Sequence, residues 1–290
     1  MLHWHGAPDW PPPWTYAKKT VKKCNYHFTI TYSMKEDKVL HWGEMTREDV
    51  LCLLRYVDVA LLPVGSLEQH GPHLPLDTDS YDAKYLLEEA VKRLEGPKPP
   101  ILPTVAYGVS DHHMSFPGTV TLRPETLEAV ILDIGRSVAT HGFQKLFICN
   151  GHGGNTSILK VVAQKLKRET GLLVFMDSGE CMEPGKKELV DSKNDVHAGE
   201  YETSTSLANR KELVDIDAIP DEEMSFPHPT MSFEHKPAFN FAWNTHELSP
   251  VGVLGNPGKA TEEKGKELWE KGITLLAERI KIVMEMRGYL

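Results

Sequence analysis

The chain has 290 residues, 40% of them hydrophobic and 25% charged, values close to globular averages that exclude disorder over most of its length. A formal net charge of -9 and the lack of any long basic block argue against nucleic acid as a partner. No apolar run reaches the roughly 20 residues that span a bilayer, and no apolar leader opens the chain, so a cytoplasmic protein without a membrane partner is expected.

Residues 1–44 read as a separate arm. Pro11 to Pro13 exclude a helix there, and the β-branched and aromatic run Tyr26–Tyr32 fits an added strand. Trp4, Trp10 and Trp14 are too much apolar ring to leave in water, so the arm is expected to pack on its own body or on a neighbouring subunit. Residues 45–290 read as one α/β domain in which strands alternate with helices around a mainly parallel sheet. Asp58–Val64 is an apolar run suited to a strand buried on both faces, ending at Gly65. Tyr81–Leu94 carries Ala83, Leu86, Leu87, Ala90, Val91 and Leu94 at helical spacing. A second apolar run, Ile101–Val105, precedes Gly108. Pro124–His141 is a helix with Gly142 just beyond it, and Lys145–Cys149 is another buried strand. An amphipathic helix follows over Thr156–Thr170, Gly171 ends it, and Leu172–Met176 is the next strand. The stretch Pro220–Pro250 yields only loops with room for a strand, and the last helix runs from about Ala260 to Arg287 behind the N-cap Thr261. The four cysteines, Cys24, Cys52, Cys149 and Cys181, form no CxxC pair, so reduced and mostly buried thiols are expected.

Fourteen histidines is a generous number, and they cluster. Directly after the first buried strand comes GSLEQHGPHLPLDTD, in which Glu68, His70, His73, Asp77 and Asp79 offer oxygen and nitrogen donors without a thiolate. That set suits zinc, manganese or iron(II), and loops at the carboxyl ends of parallel strands are where α/β sheets hold ligands. After the strand Lys145–Cys149 comes NGHGGN, where glycines leave His152 open and let backbone N–H groups near Gly153 face an anion. The turn lacks the spacing of dinucleotide and P-loop sites, so His152 reads as a further ligand. A third group, Asp195, His197, Glu200 and Glu202, leads into a moderately apolar segment. One of the two glutamates can be explained as a charge favouring a helix N-terminus. His113 lies in SDHHMSFPGT, another loop after an apolar run, where adjacent histidines are as often structural as functional.

The segments SLEQHGPHLPLDTD, FPGTVTLRPET, NGHGGN, HAGEYETS and GVLGNPGKATEEKG, in that order, resemble the creatininase family of metal-dependent amidohydrolases. The resemblance runs from about Thr46 to the C-terminus. It implies a three-layer α/β/α fold with a two-metal centre, zinc or manganese with iron(II) compatible, in a homo-oligomer, a hexamer by analogy. Carried over residue by residue, Glu68 and His152 hold one metal, His70 the other, and Asp79 bridges both. His197 matches a histidine that assists proton transfer, and His113 becomes a pocket residue. Creatininase itself also uses a glutamate two residues after the NGH histidine, where this chain has Gly154. Glu202 is the candidate replacement, with Glu200 in reserve. The tryptophans that close over creatinine have no counterpart around Met176 and Met182.

The chemistry implied is hydrolysis at a carbonyl of a small polar substrate. A metal-bridging hydroxide attacks the carbonyl carbon, N–H groups around Gly153 support the oxyanion, and His197 or Glu200 returns the proton to the leaving group. An amide or cyclic amide C–N bond is the first expectation. Hydrolytic C–C opening of a cyclic polyol dione is a second, and a non-catalytic metal-binding protein is a third. No GxSxG motif supports a serine nucleophile.

Overall fold

The computed structural model describes residues 38–177, 183–221, 224–228, 231–233 and 241–287. Three parallel strands, β1 (Val59–Val64), β2 (Lys145–Asn150) and β3 (Leu173–Asp177), lie side by side in that order. Leu61 pairs with Phe147, and Phe147 with Phe175. Beyond β1 the sheet continues only as single parallel bridges, Leu61 to Ile101, Val64 to Val105 and His41 to Ile101. The apolar run Ile101–Val105 thus sits where a strand belongs. Pro99, Pro100 and Pro103 carry no N–H, which interrupts the ladder along it.

Eight helices surround the sheet among the described residues: α1 (Arg47–Leu53), α2 (Thr78–Lys92), α3 (Pro124–Thr140), α4 (Thr156–Thr170), α5 (Glu183–Leu189), α6 (Glu200–Asn209), α7 (Thr245–Leu248) and α8 (Glu262–Glu285). Alternate residues of each strand face opposite layers, as the pleat requires. Val59, Leu61, Phe147 and Cys149 pack with Leu87 and Val91 of α2 and with Leu268, Leu276 and Ile280 of α8. Ala60, Leu62, Val64, Leu146 and Ile148 pack with Leu127 and Ile131 of α3 and with Leu159 and Val162 of α4. A fully buried leucine or isoleucine contributes about 2 kcal/mol, so these two cores hold the three layers together. The architecture is the expected three-layer α/β/α sandwich.

Several boundaries move for local reasons. α2 begins at Thr78, ahead of the periodic apolar residues, because its first turn is polar and adds nothing to the helical pattern. α6 is made of EYETSTSLAN and has no apolar stripe, yet Thr203, Ser204 and Thr205 are fully buried, so packing rather than amphipathicity selects it. The thiol expectation is corrected at Cys52, which is disulfide-bonded, whereas Cys149 is free and buried. The strand expected at Tyr26–Tyr32 and the arm through residue 37 lie outside the described residues. Among the described residues no helix is long and apolar enough to cross a membrane.

Two close backbone approaches set the geometry above the strands. A Cβ at Gly65, just past β1, would collide with the backbone of Ser80, and one at Gly151, just past β2, with the carbonyl of Asp79. Glycine at both positions lets the first turn of α2 rest on the ends of both strands. Asp79 is thereby delivered to the carboxyl edge of the sheet.

Candidate metal centre

Glu68, Gln69 and His70 follow β1, His152 follows β2, Asp79 lies in the first turn of α2, and His197 and Glu202 arrive with the entry to α6. His113 comes from the loop after Ile101–Val105, in a short turn Asp111–His113. These segments converge on one buried site. His70 Nε2 lies 3.2 Å from Asp79 Oδ1 and 3.7 Å from Glu202 Oε2. His152 Nδ1 lies 3.0 Å from Asp79 Oδ2, and its Nε2 lies 3.3 Å from Glu68 Oε2. Glu68 Oε1 is flanked by His113 Nε2 at 3.4 Å and His197 Nδ1 at 3.5 Å.

Backbone carbonyls orient the rings. Glu68 O lies 3.1 Å from His70 Nδ1, and Val109 O lies 3.0 Å from His152 Nε2. A carbonyl only accepts, so those nitrogens carry the protons. His70 is left to offer Nε2, and His152 to offer Nδ1, both toward Asp79. Such outer hydrogen bonds are how metal-binding imidazoles are usually aimed.

The charge balance fits cations. Glu68, Asp79 and Glu202 bring three carboxylates into a space where Glu68 is fully buried and Asp79 nearly so. Burial raises Glu68 above the usual carboxylate range, with repulsion from Asp79 adding to it, despite attraction to His152. Burial likewise pushes Glu202 up to about 7. Burial opposes charge on His70 and His152 too, but the surrounding carboxylates outweigh it, led by Asp79 for the first and Glu68 for the second, and hold them at about 10 and about 9. Glu68 Oε1 has no hydrogen-bond partner despite its burial, and Asp79 Oδ2 has only the His152 ring beside it, an arrangement costly for carboxylates unless a cation is the intended partner. Ligand atoms of three triads lie within 4.8 Å of one another: Glu68, His70 and Asp79; His70, His197 and Glu202; Glu68, His113 and His197. His152 stands outside all three and meets Glu68 through Nε2 and Asp79 through Nδ1. The donor set therefore fits divalent ions.

His113 and His197 differ from the metal-facing histidines. Burial first, then neighbouring imidazoles, drive His113 down to about 2 and His197 well below its ordinary value, so both are neutral. Their rings lie 4.1 Å apart, centroid to centroid.

Not every candidate joins. Glu200 is fully buried but turns away: its carboxylate accepts from Asp191 N, Ser192 N and Ser192 Oγ at 3.0, 2.8 and 2.6 Å, and from Lys264 Nζ at 2.5 Å. Its expected parts, proton donor and reserve ligand, are corrected to a structural one. Asp195 accepts from Glu200 N and Tyr201 N and so caps α6. His73 bonds Thr203 Oγ1 at 2.9 Å, and Asp77 pairs with Arg210 at 2.7 Å. At Gly153 a Cβ would meet nothing, so a side chain would be tolerated there. At Gly154 a Cβ would strike Val109 O and His152 Nε2, leaving no room for a side chain donor at that position.

Three residues of the site carried no separate signal in the sequence. Ser110 Oγ donates to Glu68 Oε2 while Ser66 Oγ lies 2.5 Å behind it. Gln69 sits between two ligand candidates within the quoted motif, where its type alone announces nothing. His112 stacks over His152, centroids 5.8 Å apart, and Trp243 meets its edge at 5.1 Å. Aromatic cover thus comes from the Pro- and His-rich stretch, which sequence patterns leave unassigned.

A parallel α/β sandwich with a buried histidine and carboxylate cluster at its strand ends defines an α/β protein with a site suited to divalent metal. The chain belongs to the creatininase family, whose model, described as creatinine amidohydrolase, matches residues 43–280. It is 33% identical over 226 residues to the mycofactocin precursor peptide peptidase of Mycobacterium ulcerans, covering 76% of this chain and 83% of that one. A putative creatinine amidohydrolase from Bacteroides fragilis superposes with a TM-score of 0.76 at 28% identity, over 88% of this chain and all of the other. A mutant creatininase of Zn-Zn type superposes at 0.72 with 26% identity, over 86% and 100%, and a manganese form of creatininase at 0.69 with 25% identity and the same coverage. Two of these solved relatives are thus described as zinc and manganese forms.

Proposed function

We propose that the protein hydrolyses an amide C–N bond, with Glu68, His70, Asp79, His152 and Glu202 holding two divalent cations, zinc or manganese. Iron(II) is compatible with the same donors. The observation that carries this reading is Asp79, whose two oxygens face His70 and His152 separately. When bound, such a pair polarises a carbonyl and lowers the pKa of water from 15.7 to roughly 7.

The chain's own residues supply the rest. His197, neutral and unprotonated at Nδ1, takes a proton from the attacking water and returns it to the leaving nitrogen. His113 lines the pocket beside it. Backbone N–H groups around Gly153 are the candidate donors for a developing oxyanion. Burial of the cluster excludes bulk water and strengthens each of these interactions. By their names, a peptidase and an amidohydrolase both act on amide-type bonds, which supports C–N over C–C cleavage. A homo-oligomer is part of the same reading, tested by sedimentation of the purified protein.

The deciding experiment is a turnover screen of zinc- or manganese-loaded protein on cyclic amides, formamides, short peptides and cyclic polyol diones. Release of an amine supports the proposal. Turnover of diones alone would replace it with carbon–carbon cleavage, and tight metal binding without turnover of any class would make the centre non-catalytic.

A further inference from the structure

We infer that Gln69 is a positioning residue that fixes the tautomers of His113 and His197, so that they face Glu68 with opposite hydrogen-bonding character. The amide orientation is set by two backbone groups. Gly71 N can only donate, and it lies 2.9 Å from Gln69 Oε1; Gly252 O can only accept, and it lies 2.9 Å from Gln69 Nε2. No flipped amide satisfies both. Gly252 has φ +81, in the left-handed region, and a Cβ there would collide with Gln69 Oε1, so the late GVLG segment is shaped to hold this side chain.

The remaining Nε2 hydrogen has one acceptor. His113 Nδ1 lies 2.8 Å away, and His197 Nε2 lies 3.2 Å away. His197 Nε2 is itself 2.7 Å from the Gln69 carbonyl, so it must carry a hydrogen and cannot accept. The amide therefore donates to His113 Nδ1. Thr245 Oγ1 gives its one hydrogen to His112 O at 2.9 Å, so toward His113 Nδ1, 3.0 Å away, it can only accept; that is the competing arrangement, with His113 protonated at Nδ1, which histidine spectroscopy detects.

It follows that His113, accepting at Nδ1, carries its hydrogen on Nε2, whereas His197, donating from Nε2, has Nδ1 as its remaining position, and these two atoms flank Glu68 Oε1. One residue specifies a donor with its side chain and an acceptor with its backbone. The assignment also excludes His113 Nε2 as a metal ligand, although distance alone would admit the triad with Glu68 and His197. The functional consequence rests on the amide-hydrolysis reading. Water gives its proton to His197 Nδ1 as its oxygen bonds the carbonyl carbon, the C–N bond breaks, and that proton leaves on the amine. His113 N–H meanwhile holds an oxygen of the substrate. The tautomers themselves do not depend on that reading.

The test is long-range 1H–15N correlation spectroscopy of the zinc-loaded full chain labelled with 15N-histidine, with signals assigned by their loss in His113→Gln and His197→Gln. Wild type should show His113 protonated at Nε2 and His197 protonated at Nε2. In Gln69→Glu the introduced carboxylate offers only acceptors, so His113 should switch to Nδ1–H while His197, held by the backbone, keeps its form. Gly252→Ala, which displaces Gln69 from the other side, should perturb His113 in the same direction. Zinc content should stay at the wild-type value in both variants, separating a tautomer effect from damage to the centre. His113 protonated at Nδ1 in wild type overturns the inference whether or not any variant folds, as does a His113 spectrum unchanged by Gln69→Glu. Failure to cleave amides would leave these spectra as they are.

Discussion

His152 Nδ1 lies 3.0 Å from Asp79 Oδ2, joining the loop after β2 to the first turn of α2 across the end of the sheet. The other Asp79 oxygen faces His70. One carboxylate thus ties two imidazoles that come from separate strands.

Asp79→Ala should therefore empty both cation sites at once. Elemental analysis of the purified variant should find metal near background, whereas loss of a terminal ligand removes one ion. Wild-type stoichiometry in Asp79→Ala would refute the bridging role.

His197→Ala should separate binding from chemistry. Its ring faces Glu68 Oε1 from 3.5 Å and is held by a backbone carbonyl. We expect wild-type metal content and a fall in kcat of at least about 100-fold, the lower end for a proton-transfer group. Loss of metal together with rate would instead make His197 a ligand.

Gly154→Ala should damage the site sterically. The added methyl would strike Val109 O, which orients His152, and His152 Nε2 itself. Overpacking of this kind costs about 1–3 kcal/mol, and the displaced ring should weaken metal affinity as well. Denaturant melts with and without added zinc measure both effects; unchanged midpoints would show that the loop yields freely.

Glu200→Gln should lower stability while sparing metal content. Burial alone would raise this carboxyl, but the Lys264 ammonium and the Ser192 and Asp191 donors outweigh it and hold its pKa below the ordinary value. A group depressed on folding contributes stability above its unfolded pKa, about 4.3, and loses it as pH falls through the lower folded value. The variant should be less stable by about 1.5–3 kcal/mol at pH 7, the range for a hydrogen bond to a charged group, and the gap should close in acid. A gap that is constant with pH would contradict the ion-pair account.

The sheet and its two covering layers were legible because the continuous apolar runs Asp58–Val64 and Lys145–Cys149 and the period-3.6 patterns of the long helices report burial directly. α6 was not legible. Its serines and threonines are buried by the neighbouring α8, a contact that local pattern cannot register. Residue types also named the donors Glu68, His70, Asp79 and His152, since each follows a strand or opens a helix where backbone termini gather.

What the sequence by itself determined is this inventory: a parallel α/β core and a surplus of imidazoles and carboxylates at strand ends. Only the tertiary structure decided which of them share a site. Glu200 and Glu202 lie in one helical turn with the same chemistry, yet one faces Lys264 and the other His70. Local spacing cannot tell them apart, because a side chain's partner depends on what packs against its face of the helix. Proton positions on His113 and His197 were equally invisible along the chain, since they follow from a carbonyl and an amide that folding brings within 3 Å.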